Sequence, residues 1–167
     1  YRVKLSARKI GESDSALAAE YLRIIGDFER IADHSVNILE SAEEMQQKGI
    51  AFSAAALQEY ATMAGAVREV TALAYDSFVS GDVQAARQVE PLEQVIDDLK
   101  EEMRTRHIRR MQQGSCGIEA GFIWSDLLTN LERVSDHCSN IACCMIEGAD
   151  HNLHRHEVLQ SIRGSGE

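Results

Sequence analysis

The sequence predicts an all-α fold, an antiparallel bundle of four long helices. Composition is the first indication, because only 5% of the 167 residues are aromatic and one is proline, which favours helices over strands. Apolar spacing is the second, because apolar residues alternate three and four apart over long stretches. The third is that the helical stretches are joined by short links, which place consecutive helices antiparallel.

Capping residues and helix breakers set the bounds of the four helices. The expected ranges are about 13–48, 53–81, 82–114 and 118–147. Pro91 removes a backbone donor inside the third range, so a kink or a restart is expected there. The bundle is expected to occupy residues 1–148, and residues 149–167 to form a mobile tail or a short helix.

The first and fourth helices carry one polar pattern twice. The stretches "GDFERIADHSVNI" at 26–38 and "TNLERVSDHCSNI" at 129–141 both read Glu-Arg-x-x-Asp-His-x-x-Asn-Ile. The apolar seams of the two helices share the same offset, from Leu17 to Ala120 and from Phe28 to Leu131. The repeat therefore covers the packing register as well as the polar groups.

Each copy places two carboxylates on one helix face. Glu29 and Asp33 are four residues apart, as are Glu132 and Asp136, so each pair lies one turn apart. Apolar or small residues share these faces: Leu22, Ile25, Ala32, Val36, Leu39, Leu128, Ser135, Ala142 and Ile146. Carboxylates held close in a desolvated stripe repel unless a cation neutralises them, so the pattern favours a divalent or trivalent metal.

The third helix carries further acids at the same spacing. Glu93 and Asp97 are four residues apart, and they would meet the second carboxylate pair if the third and fourth helices pack side by side. Oxygen ligands suit iron, manganese, magnesium and calcium better than copper. The histidine and asparagine of each copy are expected to orient the carboxylates; they are His34, His137, Asn37 and Asn140.

Two simpler interpretations stay open. One isolated Glu-x-x-x-Asp pair is commonly a surface ion-pair site, but the duplication in register favours a functional role. The basic cluster "RTRHIRR" at 104–110 is expected to complement the negative end of the third helix, with an anionic membrane or a partner protein as the alternative.

Composition and missing motifs exclude several function classes. The net charge of −10 argues against nucleic-acid binding, and no apolar run is long enough to span a membrane. We find no phosphate-binding glycine loop, nucleophile elbow or Glu-x-x-His pattern, so we expect no enzyme. The four cysteines lack zinc-ribbon spacing, which favours a reducing cytoplasm.

The stretches "DFERIADHSVNILE" and "NLERVSDHCSNIA" resemble the duplicated motif of PhoU-domain proteins. The resemblance implies an all-helical unit of two three-helix repeats, with a motif on the last helix of each. It also implies regulation of phosphate uptake and a metal ion or multinuclear cluster, iron above other divalent cations. The ligands it implies are Glu29, Asp33, Glu132 and Asp136, with Glu93 and Asp97 as supporting candidates.

The chain departs from the family pattern in one respect that affects the site. Only about a dozen residues precede the first motif helix, so the first two helices of the six-helix unit are expected to be missing. The beginning "RVKLSARKI" also resembles the cytoplasmic PhoU-like part of bacterial sodium/phosphate cotransporters. That resemblance implies a location at the inner face of the cell membrane and a membrane transport domain or transporter protein as partner. A homodimer is also compatible with it.

The function expected from the sequence is therefore a metal-binding regulatory domain of phosphate transport that acts by docking on another protein. A purely structural helical interaction domain without metal is the main alternative. A carboxylate-bridged di-metal oxidoreductase is a third, more distant one.

Overall fold

The computed structural model describes residues 12–164 of the chain, with side chains described for residues 15–150. This part contains four long helices and one single helical turn, and no strand. The helices are α1 (Glu12–Lys48), α2 (Ala54–Ser80), α3 (Val83–Ala86), α4 (Val89–Gln112) and α5 (Ile118–Gly164). The predicted all-α fold with four long helices is confirmed.

Helix boundaries follow the capping chemistry. The Ser53 hydroxyl accepts a hydrogen bond from the Ala56 amide at 3.2 Å and caps α2. Gly81, with φ +69°, ends α2 in the left-handed conformation that favours glycine. The break expected near Pro91 is present, because α3 ends at Ala86 and α4 begins at Val89. Pro91 thus falls in the first turn of α4, where its missing donor costs nothing.

The long helix α5 is the centre of the bundle, and α1, α2 and α4 all pack against it. Its predicted seam is buried from Trp124 through Met145. The seam of α1 is less complete. Ile24 is buried and Phe28 packs against the core, whereas Leu17 and Tyr21 are exposed. The shared register of the two helices therefore does not produce equal burial.

The last helix is longer than the sequence predicts. Its predicted end at Glu147 is wrong, because α5 continues without a break to Gly164. Gly148 lies within this helix, beside the Glu20 carboxylate of α1. A Cβ at this position would overlap that carboxylate, which is the far end of a flexible side chain and could move aside. The division of the chain into a helical bundle at 1–148 and a C-terminal tail at 149–167 stays a prediction.

None of the helices in the described part is long and apolar enough to cross a membrane.

Candidate metal centre

Three of the predicted acidic residues come together between α4 and α5. Glu93 and Asp97 extend from α4 and Asp136 from α5, and each offers a carboxylate oxygen within 4.8 Å of the other two. All three residues are half-buried. Among the described residues, this is the one group of three or more acidic, histidine or cysteine side chains with that spacing. The predicted meeting of the third helix with the second motif copy is therefore present in the structure.

Glu132 borders this cluster but its carboxylate is engaged elsewhere. Its Oε1 lies 2.7 Å from the ammonium nitrogen of Lys100 on α4. Its Oε2 is buried and has no hydrogen-bond partner among the described residues, and Oδ1 of Asp97 is in the same condition. A buried carboxylate oxygen without a donor is energetically costly, and two oxygens at this cluster lack a hydrogen-bond donor among the described residues.

The electrostatic environment of the cluster disfavours ionised carboxylates. Burial raises the pKa of Glu93, and the nearby Asp97 charge raises it further. Burial also raises the pKa of Asp136, with a further rise from Glu132 and an opposing effect from Arg133. The Arg133 guanidinium donates to Oδ2 of Asp136 at 3.2 Å, but its side chain is 55% exposed. Water therefore screens that cation, and it compensates the acidic group only in part.

These features fit a hard metal ion. The donors are all carboxylate oxygens on two facing helices, the ligand type that hard cations such as iron(III), manganese and magnesium prefer. A cation there would pair with the unpartnered buried oxygens. It would also favour the ionised forms of Glu93 and Asp136 and so lower their raised pKa values. The residues that would hold the ion are Glu93 and Asp97 on α4 and Asp136 on α5.

The first motif copy has a different environment. Glu29 and Asp33 are exposed on α1, and no group of three potential ligands within the described part includes them. The residues beside them differ in burial from their equivalents on α5. Ile25 is 48% exposed where Leu128 is 3% exposed, and Leu39 is 58% exposed where Ala142 is 3% exposed. No helix in the described part covers this face of α1 as α4 and α2 cover α5.

The motif histidines lie between α1 and α5 and contact each other across that interface. Their rings stack with centroids 5.6 Å apart and an interplanar angle of 22°. Nδ1 of His34 lies 2.9 Å from Oδ1 of Asn130, and Nδ1 of His137 lies 2.9 Å from Oδ1 of Asp27. These ring nitrogens therefore orient toward the opposite helix rather than toward Glu93 and Asp97.

The motif asparagines also face this interface or the surface. The Asn37 amide donates to Oδ1 of Asn130 at 3.0 Å. Asn140 is exposed and borders an open depression together with Asp27 and Arg30. The proposed role of the histidines and asparagines in orienting carboxylates stays a prediction. The contacts of His34, Asn37 and His137 join the two motif helices.

Sequence reasoning overlooked Lys100 at the cluster and Asp27 and Asn130 at the histidines. Lys100 follows Asp97 by three residues and Glu93 by seven, which puts all three on one helix face. Asp27 and Asn130 each precede the histidine of their own copy by seven residues. The spacing shows which of these residues share a helix face. It does not show their partners, because each of them contacts a residue on another helix.

The described part of the chain is a helical bundle that carries the Glu-x-x-x-Asp motif twice. An acidic cluster between two of its helices makes it an all-α protein with a candidate carboxylate metal site. The chain belongs to the PhoU domain family, whose family model matches residues 2–42 and 60–145. The family predicted from the motifs is thus confirmed.

Curated relatives come from two bacteria. The chain is 28% identical over 146 residues to "Phosphate-specific transport system accessory protein PhoU homolog 1" of Thermotoga maritima, which covers 87% of this chain and 62% of the relative. It is 26% identical over 132 residues to the PhoU homolog of Deinococcus radiodurans, covering 77% of this chain and 59% of the relative. The chain thus spans about three-fifths of the length of these relatives.

The fold is also similar to a solved structure. The crystal structure of PhoU from Pseudomonas aeruginosa matches with a TM-score of 0.81, covering 90% of this chain and 71% of that chain. At 23% sequence identity, this similarity supports the fold.

Proposed function

We propose that this chain is a regulatory domain of phosphate transport that binds a metal ion through Glu93, Asp97 and Asp136. One observation carries the metal site: three carboxylates from two helices converge, and Oδ1 of Asp97 and Oε2 of the adjacent Glu132 are buried without a hydrogen-bond partner among the described residues. Glu132 is the additional ligand that the motif supplies. A bound cation would join α4 to α5 and fix the angle between them, because it would replace repulsion between carboxylates with shared attraction.

The all-oxygen donor set favours a hard cation. Iron is the ion that the family resemblance implies, and manganese or magnesium would satisfy the same donors. Glu29 and Asp33 remain candidate ligands for a second ion or for a cluster, with the remaining ligands supplied from outside the described part.

Elemental analysis of protein purified without chelator tests the metal site. We expect retained metal in the wild type, and Asp136→Asn should reduce it strongly while lowering the melting temperature. Asp126→Asn is the matched control and should leave the retained metal unchanged, because it makes the same change at an exposed aspartate of α5 outside the acidic cluster. Wild-type protein without metal, or an Asp136→Asn variant that retains as much metal as the wild type, would overturn the metal site.

The partner proposed for the domain is a membrane transport protein, at the inner face of the cell membrane. Support comes from the curated relatives, which are named as accessory proteins of phosphate-specific transport. In the narrower version, the domain is the cytoplasmic part of a sodium/phosphate cotransporter. The complete reading frame that encodes this chain would show whether a membrane transport domain is part of the same protein or a separate one. Deletion of the PhoU-like domain should alter the response of phosphate uptake to external phosphate in either case.

The alternative is a helical interaction domain that binds no metal. The exposed first motif copy favours it, because exposed acidic pairs on a helix are commonly ordinary surface groups. We also propose that the domain catalyses no reaction and binds no nucleic acid. Oxygen consumption with a reductant tests the di-metal oxidase, and we expect none above the buffer rate.

A further inference from the structure

Lys100 forms the best-shielded ion pair at the acidic cluster. Its ammonium nitrogen lies 2.7 Å from Oε1 of Glu132, and the two side chains are 22% and 15% exposed. The other cation nearby, Arg133, is more exposed, and its Nε is 3.9 Å from Oε2 of Glu132, too far for a hydrogen bond. Lys100 is thus the cation that most directly offsets the charge of Glu132.

The position of Lys100 brings it into competition with a metal. It shares one face of α4 with Glu93 and Asp97, and the carboxylate it holds borders the three-carboxylate cluster. A metal ion that recruited Glu132 would face an ammonium group on the same carboxylate, and two cations that close repel each other. The lysine stem is long and flexible, and its partly exposed ammonium group can move into water.

We propose that Lys100 is a built-in counter-ion of the site: it pairs with Glu132 in the metal-free protein, and a metal must displace it to gain Glu132 as a ligand. This inference rests on the proposed function. It assigns to Lys100 two opposite effects, stabilisation of the metal-free bundle and weakening of metal binding. The residue thereby sets the metal concentration at which α4 and α5 become joined through the ion.

Two measurements test the proposal. One is a calorimetric titration of chelator-treated protein with Mn²⁺, and the other is the melting temperature of the same protein in the absence of metal. Lys100→Met retains most of the apolar stem and removes the charge. We expect it to bind Mn²⁺ on the order of tenfold more tightly, because the competing cation is gone. The same variant should melt at a lower temperature than the wild type without metal. Lys100→Arg, which retains a cation, should bind Mn²⁺ more weakly than Lys100→Met.

Lys48→Met is the matched control, since Lys48 makes a 2.7 Å contact with Glu44 that is exposed and lies on α1. It should change neither Mn²⁺ affinity nor melting. In the Glu132→Gln variant, adding Lys100→Met should no longer tighten Mn²⁺ binding. If Lys100→Met does not fold without metal, Lys100→Gln replaces it, and it should also bind Mn²⁺ more tightly than the wild type.

The possible failures are distinguishable. If wild-type protein binds Mn²⁺ and Lys100→Met binds it equally or more weakly, the counter-ion role is overturned and the metal site stands. If neither protein binds Mn²⁺, the metal site and the counter-ion role are overturned together. Tighter binding that persists in the Glu132→Gln double variant would also overturn the role, because the gain would not come from Glu132.

Discussion

The rings of His34 and His137 stack on each other between α1 and α5, with centroids 5.6 Å apart. These residues are equivalent positions of the two motif copies, and so are their partners Asn130 and Asp27. Each histidine thus reaches the residue that precedes the other histidine by seven positions. The two copies are related across an antiparallel helix pair, so a histidine at the same position of each copy brings the two rings together at the interface.

The His137–Asp27 contact should couple the two motif helices energetically. The contact is 2.9 Å long, and its side chains are 11% and 15% exposed. In a double-mutant cycle of Asp27→Ala and His137→Ala, we expect a coupling free energy of about 1 kcal/mol. Urea denaturation of the four proteins measures it.

The Arg23–Glu147 pair provides a control for that cycle on the same two helices. It is 3.6 Å apart, and both side chains are mostly exposed, so its coupling should be close to zero. Equal coupling in the two cycles would show that helix proximity, rather than the buried contact, determines the result.

The raised pKa values of Glu93 and Asp136 predict a pH dependence of stability in the metal-free protein. A raised pKa means that the folded protein keeps a proton over a pH range where the unfolded chain has released it. The free energy of unfolding should therefore fall as pH rises from the ordinary values of 4.5 for Glu93 and 3.8 for Asp136 through their raised values. Denaturation of chelator-treated protein at pH values from about 4 to 7 measures the slope.

Asp136→Asn should reduce this slope, because it removes one titrating group and part of the repulsion on the other. Asp126→Asn is the control, an exposed aspartate earlier in the same helix. Saturating metal should also reduce the slope, since a bound cation keeps the carboxylates ionised. An unchanged slope in Asp136→Asn would contradict the assignment of the pH dependence to this cluster.

A second charge pair lies between α2 and α4, where the two terminal guanidinium nitrogens of Arg110 donate hydrogen bonds of 2.9 and 2.8 Å to the two carboxylate oxygens of Glu59. The side chains are 15% and 10% exposed. Glu59→Gln leaves the arginine shielded from water without its charged partner, so we expect a loss of about 3 kcal/mol in unfolding free energy. Chemical denaturation measures the loss.

Glu102→Gln is the matched variant, because Glu102 pairs with Arg106 on the exposed side of α4. It should leave stability nearly unchanged. A similar loss in both variants would indicate that burial of the Glu59 pair has no special importance.

The helices and their caps were predictable because they depend on nearby residues. Ser53, Gly81 and Asp82 satisfy or end the backbone hydrogen bonds of their own helix, and Pro91 acts on its own turn. The predicted helix end at Glu147 was wrong because Gly148 is accommodated inside α5. The low helix propensity of one glycine is a weak local signal that the context of the whole bundle overrides.

The sequence by itself determined that Glu93 and Asp97, and Glu132 and Asp136, share helix faces, because a repeat of 3.6 residues per turn requires it. Tertiary structure alone decided that Asp136 joins Glu93 and Asp97 while Glu132 pairs with Lys100. It also decided that Glu29 and Asp33 are exposed and that the two histidines meet. The rotation and approach of neighbouring helices set these contacts, and they depend on packing over the whole bundle rather than on spacing along one helix.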